Sequence, residues 1–496
     1  MHFLIHPGYL WIEKNEKKRL PPITEADEFV FSMGHDFEAE ARKLFPSGAM
    51  VEGKPWEFAQ LTKRTKDLMD GGEDTIFQAT TLTERGLLAR SDVLKRNGEE
   101  WDLCEVKSSA RVKDDHLIDL AFQTIAWEEA GISIGNISVC YVDKEYIRDG
   151  EIDPHQLVKQ ETVTASVRKQ IKFVRKKIDE ALEVMDQPQR PDLDPKYASS
   201  LYIWLPIYLH LHPDLPDDHP YRLAQIKPED IETLNQDGAN TLGELEDIEE
   251  FNARQQSQIR AWQKEPETNH QEIERFLGEL EFPLWFLDYE TISHAVPIYD
   301  GTGPYQNTPF QYSLHKLDKP DGELEHFEFL STDQAFPVPD LLKQLKEDLG
   351  DTGSILVWYE NFEKGVNKDM GKFEPQYQEW IESVNERIAD LMVPFANGWY
   401  INKHFGGSAS LKNVLPVLAP HQSYKELGVQ DGGSAQAVWY KYVFKQEEMP
   451  QKVIDDLLAY CKLDTLAMVE IYQFLVDELK GSGREPLKKL TQQQLF

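Results

Sequence analysis

The sequence predicts an α/β protein with two sheet-containing domains joined by a mostly helical segment. Helical and strand-like patterns alternate from the N-terminus to residue 180 and again from residue 281 onward, an order that is typical of a sheet covered by helices. A chain of 496 residues with 40% hydrophobic and 11% aromatic residues has enough apolar material for two or three folded domains.

The N-terminal domain is predicted over 1–190. The predicted order of its elements is a helix at 34–45, strands at 75–83, 87–96 and 101–109, a helix at 116–131, a strand at 136–142 and then a basic helix. The stretch 185–195 is rich in proline and aspartate, which favour turns and loops. We therefore expect the first domain to end there.

Two further segments follow this boundary. A helical linker is predicted over 198–280, where two short helices flank a turn at Gly238. This pair is either a plain linker or a helix-hairpin-helix that grips a DNA backbone, and its acidic surface and loose turn favour the linker. The C-terminal domain is predicted over 281–484, with the buried-strand pattern WFLDYET near its start.

The net charge of −34 argues against a protein whose whole surface binds nucleic acid. Net charge is a poor guide to nucleases, however, because their sites are acidic and phosphate contact needs only a local basic surface. Arg168, Lys172, Arg175 and Lys176 follow neighbouring turns of one predicted helix. They are either such a surface or an ordinary solvated helix face.

Cysteine usage and hydropathy point to the cytoplasm. Three scattered cysteines indicate a reducing compartment, and they exclude a disulfide framework and a four-cysteine iron–sulfur cluster. The N-terminus lacks the basic leader and long apolar core of a signal peptide. The longest apolar run, LYIWLPIYLHLHP, is too short and too broken by proline and histidine to span a bilayer, so no membrane association is expected.

Acidic residues of the C-terminal domain form the sharper of two candidate metal sites. Asp288 and Glu290 are alternate residues of a predicted strand and share one face. Tyr460 and Asp464 are four residues apart on a predicted helix and share one side. A helix laid across the strand gathers three carboxylates and a phenol, and such a cluster needs hard divalent cations. Two Mg²⁺ or Mn²⁺ ions in one site are a standard device for phosphoryl transfer.

These four residues resemble the motifs of the DEDD exonucleases of the ribonuclease H-like superfamily, in the subgroup that carries a tyrosine. Asp288 and Glu290 match the first motif, and Tyr460 and Asp464 match the third. The resemblance implies that the carboxylates hold metal and that the tyrosine orients the attacking water. It also implies removal of nucleotides from a 3′ end.

The second motif of these exonucleases leaves two candidates for a further metal-binding carboxylate. Glu363, in LVWYENFEKGV, stands where the family has an aspartate, and Asp390 is its rival. The position within the motif favours Glu363. Ser408, Ser410 and Lys412 follow near a predicted helix start, where they are either contacts to substrate phosphate or capping and loop residues.

A second candidate site lies in the N-terminal domain. Glu105 and Lys107 share a face of one predicted strand, and Asp92 comes alongside from the preceding hairpin strand. Two acids holding Mg²⁺ or Mn²⁺ beside a lysine suit phosphodiester hydrolysis, because the lysine helps to stabilise the developing charge. The same pattern also fits a hairpin with a surface ion pair, since short D…ExK strings occur by chance in a charged chain.

The order of motifs around these three residues resembles the RecB-like branch of the PD-(D/E)XK nucleases, and they match its catalytic motif. Glu38 falls where that branch often places a histidine or an acid. Gln123 begins its QxxxY motif, in which Trp127 here replaces the tyrosine. Many members of this branch carry an iron–sulfur cluster on four cysteines, which three cysteines cannot supply.

Nearly the full length of the chain resembles bacterial proteins of unknown function that fuse a RecB-like PD-(D/E)XK nuclease domain to a DEDD exonuclease domain. The resemblance implies a metal-dependent nuclease that hydrolyses DNA, with a 3′–5′ exonuclease site in the C-terminal domain and a second nuclease site in the N-terminal domain. A helicase or another DNA-processing protein is a candidate partner. Two alternatives stay open: a nucleic-acid-binding scaffold with one inactive site, and an RNA exonuclease.

Overall fold

A computed structural model of the chain describes residues 1–246, 248–264, 268–320, 322–424, 427–445 and 448–481. Within these residues the protein is mixed α/β, about half helical, with two mixed sheets, so the predicted α/β class is confirmed at that level. Two compact units are formed: unit 1 comprises Met1–His212 and Ser293–Gln306, and unit 2 comprises Pro213–Ile292 and Asn307–Phe496. The division into three domains stays a prediction.

Unit 1 follows the predicted alternation of helices and strands. Its helices are α1 (His2–Ile5), α2 (Pro7–Asn15), α3 (Glu25–Arg42), α4 (Phe58–Asp70), α5 (Asp114–Glu129), α6 (Pro154–Leu157), α7 (Thr164–Asp186) and α8 (Leu201–Leu211). Its strands are β1 (Ala49–Met50), β2 (Thr75–Leu82), β3 (Leu88–Asn97), β4 (Glu100–Lys107), β5 (Ile134–Val142) and β6 (Val158–Thr162). The predicted strands at 75–83, 87–96, 101–109 and 136–142 correspond to β2, β3, β4 and β5.

The sheet of unit 1 has the strand order β1-β2-β3-β4-β5-β6. β2, β3 and β4 pair antiparallel, and the β3–β4 turn contains Gly98 with φ of +66°, a conformation that favours glycine. β4 and β5 pair parallel, which requires a crossover, and α5 is that crossover. α5 and α7 pack on the sheet through buried residues such as Leu120, Ile125 and Val167. The face of β3 and β4 is thereby fixed against α5.

Unit 2 contains the helical linker segment and the second sheet. Its helices are α9 (Pro228–Asp237), α10 (Ala253–Gln263), α11 (His270–Gly278), α12 (Val338–Asp348), α13 (Glu360–Phe373), α14 (Gln378–Glu386), α15 (Val393–Ala396), α16 (Leu411–Leu418), α17 (Gly432–Tyr440) and α18 (Gln451–Leu479). Its strands are β7 (Leu284–Ile292), β8 (Thr308–Leu317), β9 (Leu324–Leu330), β10 (Ile355–Val357) and β11 (Ile388–Asp390).

The central strand of the second sheet is β7, in the order β11-β10-β7-β8-β9. β7, β8 and β9 pair antiparallel, whereas β10 pairs parallel with β7 and with β11. Every residue of β7 except Asp288 is buried, as expected of a central strand. The 29-residue helix α18 contributes Met468, Ile471 and Leu475 to the core that also contains Phe286 of β7. β7 and α18 are therefore packed in one core.

The segment Ser293–Gln306 follows β7 in the chain but belongs to unit 1. The guanidinium of Arg148 donates to the carbonyl oxygens of Pro297 and Ile298, at 3.0 and 2.6 Å. The hydroxyl of Tyr305 donates to the carbonyl oxygen of Ser108. Unit 1 is thus completed by residues that the sequence analysis assigned to the C-terminal domain.

The apolar stretch that begins at Leu201 forms α8, which has 11 residues and contains Pro206. Its buried residues Trp204, Ile207 and Leu211 pack with Trp11 and Ile12. Across the part of the chain that the structure describes, none of the helices combines the length and the apolar character needed to cross a membrane.

Candidate functional site

A cluster of carboxylates lies where α18 packs on the centre of the second sheet. Asp288 and Glu290 share one face of β7, and Asp464 of α18 joins them. One carboxylate oxygen from each of the three residues lies within 4.8 Å of the other two. Within the described residues, this is the one group of three or more acidic, histidine or cysteine side chains with such spacing. We call the carboxylates of this cluster, together with Glu363 and Tyr460, the C-terminal site.

Burial makes the negative charges of this cluster unfavourable. Glu290 and Asp464 are both 7% exposed. Burial raises the pKa of Asp288 and Glu290 well above the usual range, and the neighbouring carboxylates raise both further. Burial also raises the pKa of Asp464 to about 6, although hydrogen bonds from two tyrosines and the charge of Lys412 oppose this shift. The cluster is therefore held together at neutral pH against its own repulsion.

Glu363 is a fourth carboxylate near this cluster, outside the group of three whose oxygens lie within 4.8 Å of one another. It lies in the first turn of α13 and is 1% exposed. Burial raises its pKa well above the usual range, and Asp288 and Glu290 are the next largest causes. Its Oε2 atom has no hydrogen-bond partner among the described residues. A buried carboxylate oxygen without a donor is costly, and four carboxylates supply the hard oxygen ligands that Mg²⁺ and Mn²⁺ prefer. The residues present fit such ions.

The carboxylate of Asp390, the other candidate for the second-motif metal ligand, is hydrogen-bonded to backbone N–H groups. It accepts the N–H groups of Tyr359 and Glu360, both at 3.1 Å, and that of Met392 at 2.9 Å. Asp390 therefore fixes the start of α13 and the turn after β11. These three hydrogen bonds favour Glu363 over Asp390 as the metal-binding residue.

Two tyrosines donate hydrogen bonds to Asp464. Tyr460 lies one turn earlier on α18, as the sequence predicts, and bonds to Asp464. Tyr424, which the sequence analysis did not identify, donates its hydroxyl to Oδ1 of Asp464 at 2.5 Å. Burial, followed by the charge of Asp464, raises the pKa of both phenols, so both remain protonated donors. The segment HQSYKE around Tyr424 matches no motif, and no signal in the sequence could have found it.

Glu470 fixes the loop that carries Tyr424. This buried residue of α18 accepts hydrogen bonds from His421 at 3.0 Å and from Gln422 at 2.9 Å on its Oε1 atom. Tyr424 follows two residues after Gln422 and reaches Asp464, which lies six residues before Glu470 on the same helix. α18 thus anchors the loop at one point and receives its phenol at another.

Of the serines and lysine near α16, only the lysine is electrostatically part of the site. Lys412 is exposed, and its charge lowers the pKa of Glu290 and Asp464. The hydroxyl of Ser408 donates to Ser410 at 3.2 Å, and that of Ser410 donates to Asn413 at 2.6 Å. Ser410 is the N-cap residue of α16 but makes no side-chain capping bond, so the contacts of the two serines are those of a loop.

The residues predicted for the N-terminal domain also come together, and we call them the N-terminal site. Glu38 lies on α3, Asp92 on β3, Glu105 and Lys107 on β4, and Gln123 on α5. β3 and β4 pair antiparallel with Val93 opposite Cys104, which places Asp92 beside the strand segment of Glu105. The hairpin and the α5 crossover position four of these five side chains, and α3 supplies the fifth.

Gln78 joins two carboxylates of the N-terminal site. Its side-chain amide donates to Glu38 at 2.6 Å and to Asp92 at 2.9 Å. Gln78 has φ of +55°, which is uncommon for a residue other than glycine. The backbone N–H of Val106 donates to the other oxygen of Asp92 at 2.8 Å, and Arg42 donates to Glu38 at 3.1 Å. Glu38 and Asp92 therefore each have two donors.

The buried Glu105 and the partly buried Lys107 form a charge network with Asp119. The Nζ atom of Lys107 lies 2.8 Å from Oε1 of Glu105 and 2.9 Å from Oδ2 of Asp119. Gln123 donates to the other oxygen of Glu105 at 2.8 Å. Burial raises the pKa of Glu105 and would lower that of Lys107, but Glu105 and Asp119 together raise the pKa of Lys107. Asp119 is a member of this network that the sequence analysis missed.

Trp127 takes part in this network through Ser91. Its indole N–H donates to the Ser91 hydroxyl at 2.9 Å, and that hydroxyl donates to Gln123 at 2.7 Å. Gln123 in turn reaches Glu105. The tryptophan that replaces the tyrosine of the QxxxY motif therefore fixes Gln123 through one intervening serine.

The cations of the basic helix are mostly engaged within unit 1. Arg168 pairs with Glu128, and Arg175 lies 3.4 Å from Glu129. Lys176 lies 3.5 Å from Glu180 on the same helix. These pairs leave less free positive charge on α7 than the sequence alone indicates.

Comparisons with known proteins find matches without an assigned activity. Residues 285–410 match the family model described as "Domain of unknown function (DUF2779)". This range contains Asp288, Glu290 and Glu363 and ends before Tyr460 and Asp464. No solved structure matches the chain significantly.

Three curated relatives match part of the chain. "Uncharacterized protein MG366 homolog" of Mycoplasma pneumoniae is 26% identical over 212 residues, which cover 39% of this chain and 32% of that protein. "Uncharacterized protein MG366" of Mycoplasma genitalium is 26% identical over 215 residues, with 39% and 32% covered. "Uncharacterized protein UU173" of Ureaplasma parvum is 23% identical over 257 residues, with 46% and 36% covered. The chain thus spans about a third of the length of the curated relatives it matches.

Proposed function

We propose that this protein is a divalent-metal-dependent nuclease that hydrolyses DNA phosphodiester bonds, with a 3′–5′ exonuclease activity at the C-terminal site and a second nuclease site in unit 1. The observation that carries the proposal is the gathering of Asp288, Glu290 and Asp464 oxygens within 4.8 Å beside the unpartnered Oε2 atom of Glu363. A protein retains such a set of buried carboxylates when cations bind them.

The fold of unit 2 supports a ribonuclease H-like assignment. β7 pairs antiparallel with β8, which pairs antiparallel with β9, and on its other side β7 pairs parallel with β10, which pairs parallel with β11. α18 packs on β7 and carries Tyr460 and Asp464. The first-motif and third-motif residues therefore meet at the centre of one sheet. In unit 1, the β3–β4 hairpin followed by α5 supports the RecB-like PD-(D/E)XK assignment in the same way.

The residues of the C-terminal site have separate tasks in this proposal. Asp288, Glu290, Glu363 and Asp464 would hold the divalent cations, which when bound neutralise phosphate charge and acidify water. Tyr460, fixed by its bond to Asp464, orients a water for attack on phosphorus. The water oxygen bonds to phosphorus and releases a proton to solvent, the bond between phosphorus and O3′ breaks, and the departing oxygen takes a proton from solvent. Lys412 draws the phosphate toward the carboxylates.

For the N-terminal site, one observation favours a second candidate role, in which it binds nucleic acid without cutting it. Glu38, Asp92 and Glu105 each receive at least two hydrogen-bond or ion-pair donors from the protein itself. Cleavage at this site requires Lys107 and Gln123 to give up some of these contacts to cations. The two roles differ in whether Glu105 is needed for hydrolysis or only for the fold.

The proposal is tested with purified protein, Mn²⁺ and end-labelled single- and double-stranded DNA and RNA. We expect a ladder that shortens from the 3′ end of DNA, that EDTA abolishes, and that Asp288→Ala abolishes as well. Glu105→Ala is expected to leave the ladder and to remove the cuts made by unit 1.

Glu347→Gln provides a matched control, because it neutralises an exposed acid of α12 in the same unit. This variant should digest DNA at the wild-type rate. Undiminished digestion by the Asp288→Ala/Glu105→Ala double variant contradicts the proposal, and so does the absence of cleavage of every substrate by the wild type. Cleavage of RNA alone replaces DNA by RNA as the substrate.

A further inference from the structure

We infer that the side-chain carbonyl of Gln311 is an uncharged oxygen ligand for a divalent cation at Glu290 in the C-terminal site. The inference rests on the metal site of the proposed function and deepens it, because the exonuclease motifs place only carboxylates and a tyrosine there. Three features of Gln311 carry it: its position opposite Glu290, the fixed orientation of its amide and the lack of a partner for its oxygen.

The pairing of β7 with β8 places Gln311 beside Glu290. The two residues lie opposite each other in this antiparallel pair. Opposite residues point to the same face of a sheet, with Cβ atoms about 5 Å apart. That face of β7 also carries Asp288, which has a carboxylate oxygen within 4.8 Å of oxygens of Glu290 and Asp464. Gln311 therefore shares the face of the second sheet on which the carboxylates meet.

A backbone carbonyl of α18 fixes the orientation of the Gln311 amide. The Nε2 atom of Gln311 donates to the carbonyl oxygen of Leu457 at 2.9 Å. Only the NH₂ end of an amide donates, so Oε1 and Nε2 cannot exchange places. Cys461 follows one turn after Leu457 on α18, and its thiol lies 3.5 Å from Oδ2 of Asp288. The amide is therefore anchored one turn of α18 from a contact with the carboxylate cluster.

The side-chain oxygen of Gln311 differs from those of other glutamines that are as deeply buried. Gln311 is 1% exposed, and its Oε1 atom has no hydrogen-bond partner among the described residues. Gln123, Gln255 and Gln258 are at most 4% exposed, and the Oε1 atom of each accepts a hydrogen bond from the protein. A buried amide oxygen without a donor is costly, and a bound cation accounts for such an atom.

An amide oxygen suits this position better than a further carboxylate does. Amide carbonyls belong, with carboxylates and water, to the oxygen ligands that hard divalent cations prefer. The carboxylates of the C-terminal site are buried and repel one another, so another negative charge would add to the repulsion. The amide of Gln311 adds an oxygen ligand beside Glu290 without adding charge.

Two substitutions separate this role from a structural one, in which Gln311 only anchors α18 through its Nε2 atom. Gln311→Met keeps the length of the side chain and removes both the oxygen and the N–H donor. Gln311→Glu keeps an oxygen ligand and removes the donor. Gln258→Met is the matched control, because Gln258 belongs to unit 2, is 3% exposed and bonds through both ends of its amide to backbone atoms. Melting temperatures in EDTA establish that each variant folds, and Gln311→Leu replaces Gln311→Met if that variant does not.

The affinity of each metal-free variant for Mn²⁺ is measured by isothermal titration calorimetry. The binding event that Asp288→Asn weakens identifies the C-terminal site. Gln311→Met should weaken this event by about tenfold or more, as loss of a group at a metal site does. Gln311→Glu should bind Mn²⁺ within about threefold of the wild type, or more tightly, because it retains the oxygen. Gln258→Met should bind Mn²⁺ like the wild type.

The outcomes distinguish this inference from the proposed function. Wild-type Mn²⁺ affinity in Gln311→Met overturns the inference and leaves the nuclease proposal intact. Equal weakening by Gln311→Met and Gln311→Glu also overturns it, because the N–H donor and not the oxygen then determines the affinity. The expected affinities in a protein that cleaves neither DNA nor RNA support the inference and contradict the nuclease proposal. A wild type that binds no Mn²⁺ overturns both.

Discussion

The N-terminal site and the C-terminal site contain the same kinds of side chain but satisfy them in opposite ways. In the N-terminal site, Lys107 forms ion pairs with Glu105 and Asp119, and Gln78 bridges Glu38 and Asp92. In the C-terminal site, the donors are two phenols on Asp464 and a cysteine thiol 3.5 Å from Asp288. Its one lysine is exposed. The first site contains its own counter-ion, whereas the second has no buried cation among the residues that the structure describes.

This difference indicates which of the two acidic clusters is unfavourable unless a ligand binds it. Buried carboxylates that accept hydrogen bonds from the protein need no ligand, because each hydrogen bond to water that is lost on folding is replaced. Buried carboxylates that face one another with no buried cation beside them raise the free energy of the folded chain. A protein keeps such an unfavourable cluster when the cluster functions by binding a ligand. The C-terminal site is therefore the stronger candidate for a metal centre.

The largest contrast is expected in metal affinity. Asp288→Asn should weaken Mn²⁺ binding by more than about 100-fold, since even residues behind metal ligands change affinity by 10- to 100-fold. Asp92→Asn should change the affinity of the tightest site by less than about twofold. Isothermal titration of the metal-free protein with Mn²⁺ measures both. If Asp92→Asn abolishes the tightest binding, the comparison between the sites is reversed.

The next contrast is in stability and uses one lysine from each site. Lys107→Met should destabilise unit 1 by about 3 kcal/mol, because it leaves the buried Glu105 without its cation. Lys412→Met should change the stability of unit 2 by less than about 0.5 kcal/mol, since Lys412 is exposed. Urea denaturation of each variant, analysed for the transition of the affected unit, provides the measurement.

A second substitution serves as the control for Lys107→Met. The double variant Lys107→Met/Glu105→Gln removes both charges and should recover most of the lost stability, because a missing pair costs less than a broken one. If the double variant is as unstable as Lys107→Met, the loss reflects packing of the lysine stem and not the ion pair.

The sequence predicted the long elements and the paired site residues well. β2, β3, β4, α5 and β7 were found because each is long enough to show a period and each is bounded by turn residues. Residues two apart on a strand or four apart on a helix, such as Asp288 with Glu290 and Tyr460 with Asp464, share a face whatever the tertiary structure. For these pairs, local geometry is sufficient.

Other features depend on contacts between distant parts of the chain. β1, β10 and β11 have two or three residues, too few for a period to appear. Gln78 and Tyr424 reach the carboxylates through a positive φ and through a loop anchored on Glu470, and neither is coded by spacing. The assignment of Ser293–Gln306 to unit 1 likewise follows from packing that no local pattern predicts.

The pH dependence of stability sharpens the comparison further. Burial raises the pKa of Asp464 from 3.8 to about 6, so the folded state holds a proton that the unfolded state has released. The stability of metal-free unit 2 should therefore fall by about 3 kcal/mol from Asp464 alone as pH rises between about 4 and 6. The raised pKa values of Asp288, Glu290 and Glu363 should extend this fall to higher pH. Urea denaturation in EDTA at several pH values measures the fall.

Addition of Mn²⁺ and the substitution Asp464→Asn test what causes the loss of stability with rising pH. Mn²⁺ should restore the stability of unit 2 at pH 7 and do less at pH 5, because protons compete with the cation for the same oxygens. Asp464→Asn should reduce the fall in the stability of unit 2 between pH 4 and 6 and abolish most of the stabilisation by Mn²⁺. An Asp464→Asn profile that follows the wild type attributes the fall to other groups.

The smallest expected effect separates the two phenols on Asp464. Tyr424 donates to Oδ1 from a loop that Glu470 anchors, so it orients the carboxylate without approaching the substrate. Tyr424→Phe should therefore weaken Mn²⁺ binding by about tenfold, as loss of an orienting donor does. Tyr460→Phe should leave the Mn²⁺ affinity within about threefold and lower kcat, because its hydroxyl serves the attacking water.

A titration with Mn²⁺ and a rate measured at saturating Mn²⁺ distinguish these outcomes. Saturating metal should rescue Tyr424→Phe, since an orienting residue contributes to occupancy, and it should not rescue Tyr460→Phe. If saturating metal rescues both variants, Tyr460 orients Asp464 only, and the water must be positioned by another group. If it rescues neither, both phenols contact the reacting atoms, and the C-terminal site then has two residues in the role that its motifs give to one.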